Sequence, residues 1–179
     1  MLQGFQPLLL GGRGNVYIAT ASITAMAAYT ATAGIGGPLL YNGGPSGHSG
    51  VTAYIMAMGF GLTTASGAGV SVGLTAGATT APTTTTAITI QGNAQPNLSN
   101  TSVCTAYSVG TVSAAGTFFL PVGQVGTAAL TAEICDDNFI HLGGVIAVPP
   151  GYFCSPAASA TMTSGVMQIS LVWLELPND

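Results

Sequence analysis

Val166-Met167-Gln168-Ile169-Ser170-Leu171-Val172-Trp173-Leu174-Glu175-Leu176 decides how this chain is read. In an extended backbone, Met167, Ile169, Leu171, Trp173 and Glu175 point to one side, and Gln168, Ser170, Val172, Leu174 and Leu176 to the other. Strand side chains alternate between faces, so this period of two predicts a strand with a large apolar row and Trp173 inside a core. Working back from it, similar runs recur. Val70-Ser71-Val72-Gly73-Leu74 alternates cleanly, and Val16-Tyr17-Ile18-Ala19 begins another alternating run. Leu39-Leu40-Tyr41, Ala87 to Gln91, Val103 to Val112, Thr117 to Val122, Phe139 to Val148 and Tyr152-Phe153-Cys154 are further short strand candidates. In Val51 to Leu62 both alternating sets are apolar, which predicts a strand covered on both faces.

Between these runs lie turn signals. Gly34-Ile35-Gly36-Gly37-Pro38 reads as a chain break, and Asn42 to Gly50, Ser66 to Gly69 and Pro149-Pro150-Gly151 as turns. Thr79 to Thr86 reads as a low-complexity loop, and Gly92 to Ser102 as a polar, turn-prone stretch. Ser22 to Ala33 is ambiguous: Ile23, Met26 and Tyr29 recur at helical spacing, while the threonine density favours extended chain. Many short strands, frequent Gly and Pro, and no long amphipathic segment predict an all-β protein, a jelly-roll-like antiparallel β-sandwich. With 179 residues the chain holds one domain, 15–179, preceded by a short extended arm, 1–14. The arm carries Leu8, Leu9 and Leu10, costly to leave in water, and Arg13, which could pair with a neighbour's carboxylate.

Charge sets the functional limits. Charged residues make up 3% of the chain, where an average soluble domain has about 25%. Six side chains carry formal charge: Arg13, Glu133, Asp136, Asp137, Glu175 and Asp179. One cation cannot neutralise a phosphate backbone, so nucleic-acid binding is not expected. A chain that is 48% hydrophobic is not a solvated disordered polymer. Nor is a membrane helix expected, since the best stretch, Val16 to Leu40, is diluted by Ala, Thr and Gly and lacks basic flanks. The N-terminal ten residues lack the basic start of a secretory signal. A monomer of this mass exposes roughly 7,900 Å². So few charges over such an area predict a surface covered by copies of the chain or by a larger body.

Chemistry-bearing residues are sparse. The densest cluster is Glu133-Ile134-Cys135-Asp136-Asp137-Asn138-Phe139-Ile140-His141. Asp136, Asp137 and His141 are the candidate metal ligands, and Cys135 with His141 a candidate nucleophile–base pair. The spacing matches no metal loop, and a solvated loop accounts for it as well. His48 sits in a Gly-rich turn without a carboxylate nearby in sequence. No catalytic residue, bound metal or cofactor is predicted. Cys104, Cys135 and Cys154 are an odd set, read as reduced, partly buried thiols, although one bridge is possible.

Two segments carry a family resemblance. Leu40-Tyr41-Asn42-Gly43-Gly44-Pro45-Ser46-Gly47-His48-Ser49-Gly50-Val51, followed by an apolar strand, resembles a segment of small β-sandwich structural proteins of tailed bacteriophages. Gly144-Val145-Ile146-Ala147-Val148-Pro149-Pro150-Gly151, a small-residue strand and a last strand with Trp173 and Glu175 complete a layout, over residues 14 to 176, that looks like a jelly-roll capsid decoration (cement) protein. The resemblance implies a non-enzymatic virion protein on the capsid exterior, assembled in a bacterial cytoplasm. Its partners would be the major capsid protein and its own copies, with a trimer favoured by the three-fold sites of shells. Leu8, Leu9, Leu10 and Arg13 would then lie at an interface. Two competing readings are a head-fibre or tail-associated module binding host glycans, and an enzyme in which His48 converges with the 133–141 cluster.

Overall fold

The computed structural model describes residues 16–43, 50–64, 69–92, 101–125 and 138–177. They form eleven strands: β1 (Val16–Thr24), β2 (Ile35–Asn42), β3 (Val51–Thr64), β4 (Val70–Ala78), β5 (Thr83–Ala87), β6 (Gln91–Gly92), β7 (Thr105–Thr111), β8 (Phe118–Val125), β9 (Asn138–Val148), β10 (Tyr152–Ala158) and β11 (Val166–Pro177). No helix occurs among the described residues, and none is long and apolar enough to cross a membrane. The arm, 1–14, lies outside them.

The strands form two antiparallel sheets, one ordered β6-β1-β11-β3-β9 and the other β5-β7-β2-β10-β4-β8. Four pairings define the path of the chain: β1 with β11, β2 with β10, β3 with β9 and β4 with β8. The first half of the chain thus pairs with the second half in reverse order, as in one long hairpin. Rolling that hairpin brings β11 against β3 and β10 against β4, which is the jelly-roll arrangement. The three extra strands, β5, β6 and β7, all belong to the connection between β4 and β8. They extend the sheets beyond β2 and β1.

β11 alternates as its sequence requires, with Met167, Ile169, Leu171 and Trp173 all buried in the cluster between the sheets. Tyr17, Ala19 and Ile23 of β1 face the same core, as do Val70, Val72, Leu74 and Ala76 of β4. The two ends of the sandwich are closed differently. Met26, Met162 and Met167 plug one end, where the Met162 N–H donates to the Met26 carbonyl at 2.9 Å. At the other end the buried Asn42 Nδ2 donates to the Val51 and Val148 carbonyls at 2.9 and 2.8 Å, tying β2 to β3 and β9 across the sheets.

Three expectations are corrected, and one left open is resolved. β3 is not covered evenly on both faces. Ala53 and Ile55 face the core, the register with β11 then slips by one residue at Met56, and Met58 and Phe60 take over the inward positions. The two apolar sets are one inward row that changes phase at a bulge. Residues 34–38 do not simply break the chain. β2 starts at Ile35 and runs through the cis Gly37–Pro38 peptide, with an irregular register between Gly36 and Leu39. A Cβ on Gly37 would lie 1.8 Å from the Tyr107 carbonyl oxygen, so glycine is required where β2 crosses β7. The threonine run is not wholly loop, because Thr83–Ala87 forms the exposed edge strand β5. In Ser22 to Ala33 the extended alternative holds through Thr24, and irregular chain follows.

The sheets differ in how their outer faces are treated. On the six-stranded sheet, Ile35, Leu39, Val112 and Phe153 form a second buried cluster on the side away from the main core, with Tyr107 packed against it. The segment before β8 lies across that side. A Cβ on Gly116 would fall 1.7 Å from Thr75 Oγ1, and one on Gly77 would fall 3.1 Å from the Ala115 carbonyl. Among the described residues, the outer face of the five-stranded sheet carries no comparable second cluster.

Candidate interaction surface

Most of the chemistry-bearing residues singled out from the sequence lie outside the described residues. They are Leu8, Leu9, Leu10, Arg13, His48, Glu133, Cys135, Asp136 and Asp137. His141 is described. It lies on β9 opposite Ala57, exposed, with its ring edge-on to Phe139 at a centroid distance of 5.2 Å. No group of three or more His, Cys, Asp or Glu able to hold a metal occurs among the described residues.

The polar centre that sequence reasoning missed is Glu175. It continues the inward row of β11 and is 6% exposed. Oε1 accepts hydrogen bonds from Ser102 Oγ at 2.5 Å and Trp173 Nε1 at 3.0 Å. Oε2 accepts from the Val103 N–H at 3.0 Å. The Cys104 N–H is shared between Ser102 Oγ at 3.1 Å and Glu175 Oε1 at 3.4 Å. A buried carboxylate is tolerated when such donors replace water, and here they join the entry to β7 in one sheet to β11 in the other. The signal was present in the sequence: an acidic residue at an inward position of an apolar strand must find donors.

This cluster is a clamp and has the wrong electrostatics for a nucleophile. Burial raises the Cys104 thiol above its ordinary value, and the neighbouring Glu175 charge raises it further. Tyr17, stacked on Trp173 at 5.9 Å, is raised by the same two causes in the same order. Cys154, alone in the core, is pushed up to about 12 by burial. Both thiols are free and buried. A thiol held protonated is neither a nucleophile nor a ready metal ligand.

Glu175 is also the only Asp, Glu, Lys or Arg among the described residues. The surface of the described sandwich therefore carries none of these four side chains. Comparison with protein-family models, with curated proteins and with solved structures gives no match. The surface has to be read from its own geometry.

The open face of the five-stranded sheet stands out. Phe139 is 49% exposed and Val145 73%, both projecting outward from β9. Val145 follows Gly143 and Gly144, whose φ angles of +61° and +80° suit glycine. The β9 register jumps there, so that residues 142–145 stand opposite Met56 alone. The excursion lifts Val145 above the sheet. Beside this ridge the Phe139 ring lies against Gly59, and the face is low at Gly61 on β3, opposite Gln168 on β11. A Cβ on Gly61 would meet nothing within 4 Å. Toward the far edge, Ile18 and Thr20 of β1 with Ala87, Ile88, Thr89 and Gln91 line a shallow depression of about 420 Å³ with no titratable lining residue.

The sheet edges are blunted without charge. β9 is interrupted by its glycine pair, and β8 carries Pro121 and an irregular register against β4. β5 has an irregular register against β7, with Thr84 at a φ of 51°, and β6 is two residues long. Such devices discourage strand-to-strand addition.

Proposed function

We propose that this protein is a non-enzymatic structural component of a virus particle, a capsid decoration protein that binds the outer surface of a phage shell and associates with its own copies. One observation carries the reading: a jelly-roll sandwich whose described surface has no Asp, Glu, Lys or Arg, and whose one such residue is buried in a clamp. Charged surfaces keep soluble proteins apart. A sandwich without them is suited to permanent contact with protein. Obligate interfaces are large and apolar, and display in many copies multiplies modest contacts. The scarcity of charge also makes such contacts insensitive to ionic strength. Jelly rolls serve in capsids and in lectins alike.

The test is to image particles of the virus encoding this chain, with and without it, by electron cryomicroscopy. Density for the sandwich on the shell exterior, absent from particles lacking the chain, is the expected result. Normal particles from which the protein is missing would refute the reading. Deleting residues 2–12 should weaken attachment and leave the sandwich folded, checked by pelleting with particles and by circular dichroism.

A further inference from the structure

We propose that the open outer face of the five-stranded sheet is the seat of a second copy of this chain, packed face to face about a two-fold axis. The inference rests on the self-association in the reading above and deepens it by naming the face, the partner and the geometry.

Shape is the first argument. The face has a ridge and a trough side by side. Phe139 and Val145 on β9 are the ridge, and Gly61 with Ser170, one and two strands further in, is the trough. A two-fold operation turns one copy over, so its ridge meets the other copy's trough and the reverse holds at once. That is the self-complementarity an isologous contact needs. The left-handed Gly143–Gly144 excursion is what raises the ridge, the Phe139 ring lies over Gly59, and the absence of a side chain at Gly61 is what lowers the trough.

Area is the second. β1, β11, β3 and β9 at about 4.8 Å spacing give a width of roughly 19 Å, and strands of about ten residues give a length of roughly 33 Å. The planar face is thus roughly 600 Å², and a pair covers about 1,200 Å² or more, which reaches the size of a specific interface. Charge is the third. A partner recognised through charge finds no opposite charge among the described residues of this face. An identical copy brings no like charge to repel it.

Native mass spectrometry and sedimentation of the full chain test the proposal. The expected wild-type species is a dimer of about 35 kDa, twice the 17.6 kDa chain. Val145→Glu places an unpaired charge on the ridge, and Gly61→Arg fills the trough. Each should raise the dissociation constant about 100-fold or more and leave a 17.6 kDa species. Thr86→Glu, on exposed β5 away from the face, should leave the dimer intact. Circular dichroism melts identify any variant that fails to fold, in which case the other carries the test. A folded Val145→Glu or Gly61→Arg protein that still dimerises overturns the proposal. So does a wild-type monomer, or a trimer of about 53 kDa of the kind shell symmetry alone favours. Pelleting with particles separates the two readings. A dimer broken by these variants that never binds a particle supports this face and removes the decoration role. Particle binding by an assembly that the variants leave unchanged does the reverse.

Discussion

Phe153 and Phe139 are both aromatic residues on outward positions of their sheets. Phe153 is 0% exposed and Phe139 is 49% exposed. The six-stranded sheet covers its own outer face, because the segment before β8 crosses it and closes a second cluster around Phe153. Among the described residues the five-stranded sheet has no second cluster on its outer face, which carries a glycine-lifted ridge and no Asp, Glu, Lys or Arg. Low charge over the whole chain motivates the proposal that its surface is covered, and the contrast between the faces names the candidate face.

Substitutions sharpen the contrast, the largest effect first. Phe153→Ala should cost about 4 kcal/mol of folding stability, the loss of a buried aromatic, whereas Phe139→Ala should cost under about 1 kcal/mol in the isolated chain. Equal losses in denaturant melts would mean the two faces are alike. Glu175→Gln should cost about 2 kcal/mol, because an amide nitrogen must then face either the Val103 N–H or the Trp173 indole N–H, neither of which can accept. Gly116→Ala should cost about 2 kcal/mol, since the new methyl overlaps Thr75 on the covered face. Gly61→Ala, on the open face, should be neutral or stabilising by about 0.5 kcal/mol, because nothing meets the methyl and the unfolded chain loses freedom.

A pH dependence tests the covered face separately. Phe153 and Cys154 are consecutive and both fully buried, which requires cover on both faces of β10. The folded chain holds the Cys154 proton more tightly than the unfolded chain does, with its value pushed up to about 12. The stability this gives is intact below the ordinary thiol range near pH 9. It fades as pH rises from there toward about 12. Melting temperatures should therefore fall across that window, and less steeply in Cys154→Ala. Thiol reagents at neutral pH should react with Cys104 and Cys154 only as fast as the protein opens.

The sequence was clear where one rule applied. β11 is legible residue by residue because its alternation runs unbroken from Met167 to Glu175, and β4 is legible for the same reason. β3 was misread because its apolar row changes phase at Met56, and a bulge leaves no mark when both sets are apolar. β5 was invisible because all five of its residues are exposed and it exists only through pairing with β7. β2 was shortened because Gly36, Gly37 and Pro38 signal a break locally, while Ile35 and Gly36 pair with β7 and Ser155 Oγ of β10 donates to the Gly36 carbonyl. The Glu175 clamp needed one inference more than alternation, since Ser102, Val103 and Cys104 lie far from it in sequence. The open face could not be located at all, because composition carries no information about which side of a sheet a connecting segment crosses.

Sedimentation velocity of the wild-type chain from nanomolar to millimolar concentration tests the central claim most directly. The account predicts a discrete assembly that dissociates only on dilution and is indifferent to salt. A soluble 17.6 kDa monomer at every concentration would contradict it.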